Sequence, residues 1–199
     1  MAFPPLVALA TKNPGKIREI LRICSDWPVE WETAGDRAWP DVEETGDTYE
    51  ENALLKARAV AAFLGIPAVA DDSGIEVDAL GGAPGVRSAR FAGEHATDAE
   101  NLQLLLRKVS AFPEEVRTAR YRCVALCAWP DGTEVAAEAA CAGRITLEPR
   151  GSGGFGYDPA FVPDGETRTM AELEPRAKDA ISHRGKALRA LGEQLLGGR

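Results

Sequence analysis

The 199-residue sequence contains no apolar run approaching the ~18 residues that a membrane-spanning helix needs. No membrane partner is therefore expected. Its opening, MAFPPLVALATK, lacks the basic segment and the small-residue cleavage site of a secretory signal, so none is expected. An excess of basic residues is also missing: 31 Asp and Glu against 23 Lys and Arg give a net charge of −8. A chain with that balance has no general attraction for a nucleic acid polymer, although basic side chains that converge locally could hold a small anion. Cysteine is scarce. Cys24, Cys123, Cys127 and Cys141 form no C-x-x-C pair, which argues against a zinc site. Three of them sit in apolar stretches, as buried reduced thiols do, and this favours a cytoplasmic protein. Internal repeats and low-complexity segments are absent.

What is present suits a soluble globular fold. Hydrophobic residues make up 45% of the chain and charged residues 27%. The length fits one domain over 1–199, built as two intimate lobes. PLVALA (5–10) reads as a short buried strand. Asn13 then offers a helix cap, and Pro14 occupies the next position, which helices favour. The helix that follows places Ile17, Ile20, Leu21 and Cys24 on one face. Residues 35–50 are polar, acidic and turn-rich, leading into a second helix at about 50–64 that ends at Gly65. IPAVADDSGIEVDAL reads as a strand ending in acids and then a second extended piece. Thr97–Val109 is helical, with Leu102, Leu105, Leu106 and Val109 as its stripe. RYRCVALCAW and TEVAAEAACAGRI flank PDG as a hairpin. SHRGKALRALGEQLL is an amphipathic helix with Ser182 at its cap. Mixed αβ and ββ connectivity predicts an α/β protein with a mixed sheet.

The stretch ATKNPGKI (10–17) nearly spells a phosphate-binding loop. Ala10 replaces the first Gly of G-x-x-x-x-G-K-[ST] and Ile17 replaces the final hydroxyl residue, while Gly15 and Lys16 stand in register. A helix N-terminus offers N–H groups and a partial positive charge to a phosphate, and Lys12 and Lys16 would add point charges. The plainer reading is an ordinary capped helix with surface lysines. Without a hydroxyl at position 17, any metal must be held by carboxylates elsewhere. Asp41, Glu43, Glu44, Glu50 and Glu51 cluster before and at the second helix. Glu50 and Glu51 are explained as complements to the helix dipole; Glu43 and Glu44, out in the loop, are less so.

Asp71 and Asp72 follow an apolar strand, and adjacent strand residues face opposite ways, so one Asp should enter a site and the other leave it. D-D-S-G is equally good turn chemistry. SHRGK places His183, Arg184 and Lys186 in the first turn of the last helix, where basic charge opposes the dipole by about 0.3–1 kcal/mol each unless an anion or acceptor answers it. Lys178 is expected in the loop before. GGFGYDP (153–159) joins backbone permissiveness to two rings, Phe155 and Tyr157, either of which could stack on a base or anchor the core.

Five segments, TKNPGK, EENALLKA, ADDSGIEVDALGGAPGVRSARFAG, GGFGYDPAF and SHRGKAL, together resemble the inosine/xanthosine triphosphate pyrophosphatase family (Ham1-like, dITP/XTP pyrophosphatases) from about residue 6 to residue 196. The resemblance implies an elongated α/β fold of two lobes with a long curved mixed β-sheet flanked by helices and an active site in the cleft between lobes. It implies a homodimer, a Mg²⁺ requirement, and hydrolysis of ITP, dITP and XTP to the monophosphate and pyrophosphate. Thr11, Lys12, Asn13, Pro14, Gly15 and Lys16 would hold the triphosphate, and Ser73 would touch substrate. Asp72 would be general base and metal ligand, with Glu44 or its neighbour Glu43 as the second ligand. Phe155, Gly156, Tyr157, Asp158, Lys178, His183 and Arg184 would contact the nucleotide, mostly at the base. The alternatives are a related pyrophosphatase for other modified nucleotides, which a substrate panel separates, and a nucleotide-binding module that releases no pyrophosphate.

Overall fold

The computed structural model describes residues 3–197. The chain divides into two compact units. The first is built from residues up to Asp72, from Cys123–Ala139 and from Arg184 onward; the second from Ser73–Arg122 and Ala140–His183.

The opening follows the sequence reading. β1 (Leu6–Leu9) leads through a tight turn into α1 (Pro14–Ile23), and Asn13 caps that helix with its side chain while Pro14 fills the first turn. Ile20 and Cys24 are buried in the first unit's core beside Val7 and Leu9, with Ile17 packed at its edge. Leu21, expected on the same face, stays at the surface. β2 (Glu30–Glu32) is a short strand with no counterpart in the sequence reading. α2 (Tyr49–Leu64) begins at Thr48, which exchanges hydrogen bonds with Glu51 in a reciprocal cap. Glu51 is thereby committed to the helix start.

β3 (Ala68–Val77) corrects the reading of the acidic strand. It runs unbroken through Asp71, Asp72, Ser73 and Gly74, so D-D-S-G is not a turn and the two acids lie mid-strand. α3 (Asp98–Val109) has a reciprocal cap between Thr97 and Glu100 and buries Leu105 and Val109. β4 (Thr118–Ala128) and β5 (Glu134–Ile145) form the expected hairpin; the connection 129–133 is too short for a parallel crossover. β6 (Phe161–Pro163) is followed by α4 (Pro175–Ile181) and α5 (His183–Leu196). Lys178 therefore sits in a helix, not in a loop.

The strands form one sheet in the order β2-β1-β3-β4-β5-β6. β1 pairs parallel with β2 and β3, and β5 pairs antiparallel with β6, so the sheet is mixed, with helices flanking it. Each unit has its own core. In the first, Leu188 and Leu191 of α5 pack with Val69, Ala125 and Cys127. Each leucine buried this way contributes roughly 1.5–3 kcal/mol over an exposed one. In the second, Ile75, Leu105, Tyr121, Phe161 and Met170 form the centre. All four cysteines are buried.

Candidate functional site

The first unit carries the phosphate-type turn. Asn13 Oδ1 accepts from the backbone N–H of Gly15 at 2.8 Å and of Lys16 at 3.1 Å. The N–H of Ile17 donates to the Asn13 carbonyl at 3.0 Å, and Pro14 has none to give. The expectation of open N–H groups at this turn is therefore corrected: the Asn13 cap already engages them. The side-chain donors at the turn are the ammonium groups of Lys12 and Lys16, the Thr11 hydroxyl and the Asn13 carboxamide N–H₂. Lys12 donates to Asp41 Oδ1 at 2.6 Å and to the Trp39 carbonyl at 2.9 Å, so Asp41 belongs to this lysine. Lys16 pairs with Asp71 Oδ2 at 3.1 Å.

Strand alternation separates Asp71 and Asp72 into two different environments. Asp71 has no solvent exposure, and besides Lys16 it accepts from Arg184 Nε at 3.1 Å. Burial works against its charge, but Lys16, Arg184 and Lys56 outweigh it and hold the carboxyl below the usual Asp range. Arg184 also donates through Nη1 to Glu19. Burial disfavours the guanidinium's charge, yet Asp71 and Glu19 hold its proton more firmly than usual. Arg184 is only 2% exposed. Arg184 is thus a buried tie between α1, β3 and α5.

Asp72 has other partners. Lys56, one face of α2, donates to Asp72 Oδ1 at 3.1 Å and to Glu44 Oε1 at 2.7 Å. Asn52 Nδ2 lies 3.5 Å from Asp72 Oδ2. Burial raises the Asp72 pKa, the attraction of Lys56 and Lys16 lowers it, and Glu44 and Asp71 add to the rise; the net shift is upward. Lys56 is shifted up as well, because Asp72 and Glu44 outweigh its burial. Glu43 is exposed, and Glu44 is the acid of the loop that meets Asp72 through a shared cation. Ser73 is half-buried in the next position of β3.

The second unit gathers the aromatic and basic residues expected at a base. Lys178, 4% exposed, donates to Asp158 Oδ2 at 2.5 Å, and its ammonium lies 5.2 Å from the Phe155 ring centroid. The Phe155 N–H donates to the same Asp158 oxygen at 2.9 Å. A Cβ at Gly154 would fall 2.0 Å from that oxygen, at a φ of +69°, so glycine is required where the loop closes over Asp158. Tyr121 donates to Asp158 Oδ1 at 3.3 Å and stacks on the His183 ring, centroids 4.5 Å apart and planes 5° from parallel. Tyr157 donates from its hydroxyl to the Ser88 carbonyl at 2.7 Å, which makes it a core anchor. Half-exposed Phe155 is the ring available for stacking. Gly156 donates its N–H to Asp98 Oδ2 at 3.0 Å.

Residues 7–194 match the model of the Ham1 family. The chain belongs to the Ham1 family. It is 53% identical to the dITP/XTP pyrophosphatase of Streptomyces coelicolor over 186 residues, covering 92% of this chain and 93% of the relative. The dITP/XTP pyrophosphatase of Geobacillus kaustophilus is 49% identical, with 97% of each chain covered. Among solved structures, a HAM1 protein from Coxiella burnetii superposes with a TM-score of 0.87 at 40% identity over 100% of both chains. This Ham1-family chain brings Lys16 and Asp71 together, and Glu44 and Asp72 through Lys56. Sequence reasoning had not singled out Asn52, Lys56 or Glu19. A signal existed for the first two: polar residues at i and i+4 within EENALLKA, on the face of α2 that is buried.

Proposed function

We infer that this chain hydrolyses non-standard purine nucleoside triphosphates, ITP, dITP and XTP, to the monophosphate and pyrophosphate, so removing them from the nucleotide pool. The observation that carries this reading is the consecutive pair in β3. Asp71 fixes the lysine of the phosphate-type turn, while its neighbour Asp72 meets Glu44 through Lys56. A cation for the anhydride and a carboxylate for water are thus set by adjacent residues of one strand. The names of the relatives support the substrate class.

In this reading water attacks the α-phosphorus and pyrophosphate leaves. Asp72 accepts the water's proton, and its raised pKa suits a base. Lys16, Lys12, the Thr11 hydroxyl and the Asn13 carboxamide offset the charge that grows on the leaving pyrophosphate. Positioning and charge neutralisation carry most of the rate in such chemistry. Asp72 and Glu44 suit Mg²⁺, which is commonly held by one or two carboxylates together with substrate phosphates. Their fit is supported by geometry: both carboxylates converge on one cation, the Lys56 ammonium, at 2.7 and 3.1 Å. When bound, Mg²⁺ would supply neutralisation at the phosphate oxygens.

Phe155 offers a face for stacking, and Lys178 and His183 offer donors to the 6-oxo group of hypoxanthine or xanthine. They would face adenine's amino group donor to donor. A site built around such donors can discriminate by roughly 10⁴. A homodimer is also proposed, supported by Leu55 and Phe63, both exposed and two turns apart on α2; light scattering tests it. The setting proposed is the cytoplasm; among the described residues no helix is long and apolar enough to cross a membrane.

The deciding experiment is a panel of ITP, XTP, GTP and ATP assayed separately for pyrophosphate and orthophosphate. ITP and XTP are expected well above GTP, with GTP at or above ATP. Hydrolysis of ATP as fast as ITP would overturn the assignment. Binding with no pyrophosphate release would indicate a module without turnover.

A further inference from the structure

The buried face of α2 carries two polar side chains one turn apart, Asn52 and Lys56. Lys56 is explained by its ion pairs. Asn52 is an uncharged polar side chain with no solvent exposure. An amide buried without hydrogen-bond partners is costly, so its contacts define its role. Its Oδ1 accepts from the Gly46 N–H at 2.8 Å, and its Nδ2 donates to the Gly46 carbonyl at 3.2 Å. The second Nδ2 hydrogen is directed to Asp72 Oδ2, at a longer 3.5 Å. One carboxamide therefore binds a loop peptide on both its polar groups, as a neighbouring strand would, and also reaches β3.

Gly46 stands two residues after Glu44. A Cβ there would fall 2.6 Å from Glu51 Cβ and 2.9 Å from Asn52 Oδ1, so the loop is seated directly on α2. The next two residues are fixed as well: Glu51 Oε2 accepts from the N–H of Asp47 at 2.8 Å and of Thr48 at 3.1 Å. Residues 46–48 are thus bonded to the helix at every step, and Glu44 sits on a short tether.

We propose that Asn52 is a positioning residue. It sets the separation between the Glu44 and Asp72 carboxylates, and through that spacing the affinity of the pair for a divalent cation. The proposal rests on the reading of those two acids as cation ligands. Two carboxylates that share a cation repel each other until it arrives, so their spacing has to be imposed from outside. Lys56 neutralises them, but its flexible stem does not fix a distance. Partners that orient ligating carboxylates change metal affinity by about 10–100-fold when removed.

The test uses the full chain with Asn52→Leu, which keeps the shape and removes every polar contact, and with Gly46→Ala, which disturbs the loop side of the same bonds. Mn²⁺ binding to the nucleotide-free protein is followed by the loss of the free-ion EPR signal. The Mg²⁺ concentration for half-maximal pyrophosphate release is measured in parallel. Both variants are expected to weaken Mn²⁺ binding and raise the half-maximal Mg²⁺ by about 10-fold, with a smaller fall in kcat at saturating Mg²⁺. Wild-type Mn²⁺ binding in both variants would overturn the proposal. So would a fall in kcat at saturating Mg²⁺ with unchanged cation constants, which is the mark of a merely structural residue. If Asn52→Leu does not fold, Gly46→Ala decides alone. Asp72→Asn and Glu44→Gln separate the two levels. If these controls bind Mn²⁺ like the wild type, the cation assignment itself fails. If they lose it while Asn52→Leu does not, only the role of Asn52 fails.

Discussion

Replacing Arg184 with methionine should destabilise the protein without changing which base it prefers. Arg184 is buried against Asp71 and Glu19, so Arg184→Met removes a cation from between two buried carboxylates. Asp71 keeps Lys16 at 3.1 Å, which leaves Glu19 as the group most exposed to the loss. Breaking a buried pair by removing one partner costs about 3–5 kcal/mol. At about 2–4 °C per kcal/mol for a chain of this size, the expected fall in Tm is roughly 6–20 °C. Thermal unfolding by circular dichroism at pH 7 and near-physiological salt measures it. Adding Glu19→Gln to Arg184→Met should recover about half of the loss, because part of the destabilisation comes from the buried Glu19 charge that has lost this cation. In the fraction that remains folded, the ITP-to-ATP ratio should match the wild type. A Tm within about 2 °C of the wild type, less than a 1 kcal/mol change gives, would refute the burial argument. A collapsed ITP-to-ATP ratio would return Arg184 to the base-reading set.

Asp72→Asn should lower kcat by roughly 10²-fold or more while the protein stays folded, since it removes the base and keeps its shape. Asp71→Asn should act mainly through stability, by depriving Lys16 and Arg184 of their shared anion. Asp71's folded-state pKa is lowered, so its stabilisation is complete above the ordinary value of 3.8 and is lost only as pH falls through the lower folded value; acid unfolding of the wild type against Asp71→Asn reads this out. Asp72 is shifted the other way, so the acid limb of kcat/KM should lie above 3.8, and added Mg²⁺ should move it down by favouring the carboxylate. Lys16→Ala should weaken triphosphate binding far more than monophosphate binding in calorimetric titrations; unchanged KM and kcat would make it a structural partner of Asp71 alone.

Much of the fold was legible because its helices advertise their ends. Thr48 with Glu51, Thr97 with Glu100, and Asn13 with Pro14 are local signals, and the structure uses each one. The hairpin around PDG is equally local. β2 escaped because three residues at a sheet edge carry no periodicity. α4 escaped because it is short and its preceding residue, Glu174, makes no side-chain cap. The acids of β3 misled for a different reason. Two aspartates inside a strand look like its end until their counter-charges are known. Those counter-charges come from Lys16, 55 positions away, and Arg184, 113 positions away. The same distance hid the role of Arg184: in the sequence it is a cation beside His183, and only the fold supplies Glu19 and Asp71. The turn at Asn13 shows the reverse. Its cap was read correctly, but the cap engages the N–H groups that made the turn look like a phosphate cradle.

The interleaving of segments in the first unit has a consequence for how the protein is made. Residues up to Asp72 carry β1, α1 and α2, yet their hydrophobic centre is completed by Cys123–Ala139 and by Ala187, Leu188 and Leu191 of α5. Asp71 and Glu19 wait for Arg184 over the same interval. On the ribosome, a nascent chain that has emerged only as far as residue 122 therefore holds an apolar cluster whose closing segments are still to come. Such incomplete intermediates expose surface that aggregates or recruits chaperones. The second unit, whose segments end at His183, can close first, so synthesis ends with the step that seals the unit begun at the start. A stop codon at residue 184 would accordingly remove far more than one helix: it would leave the oldest part of the chain without its last wall.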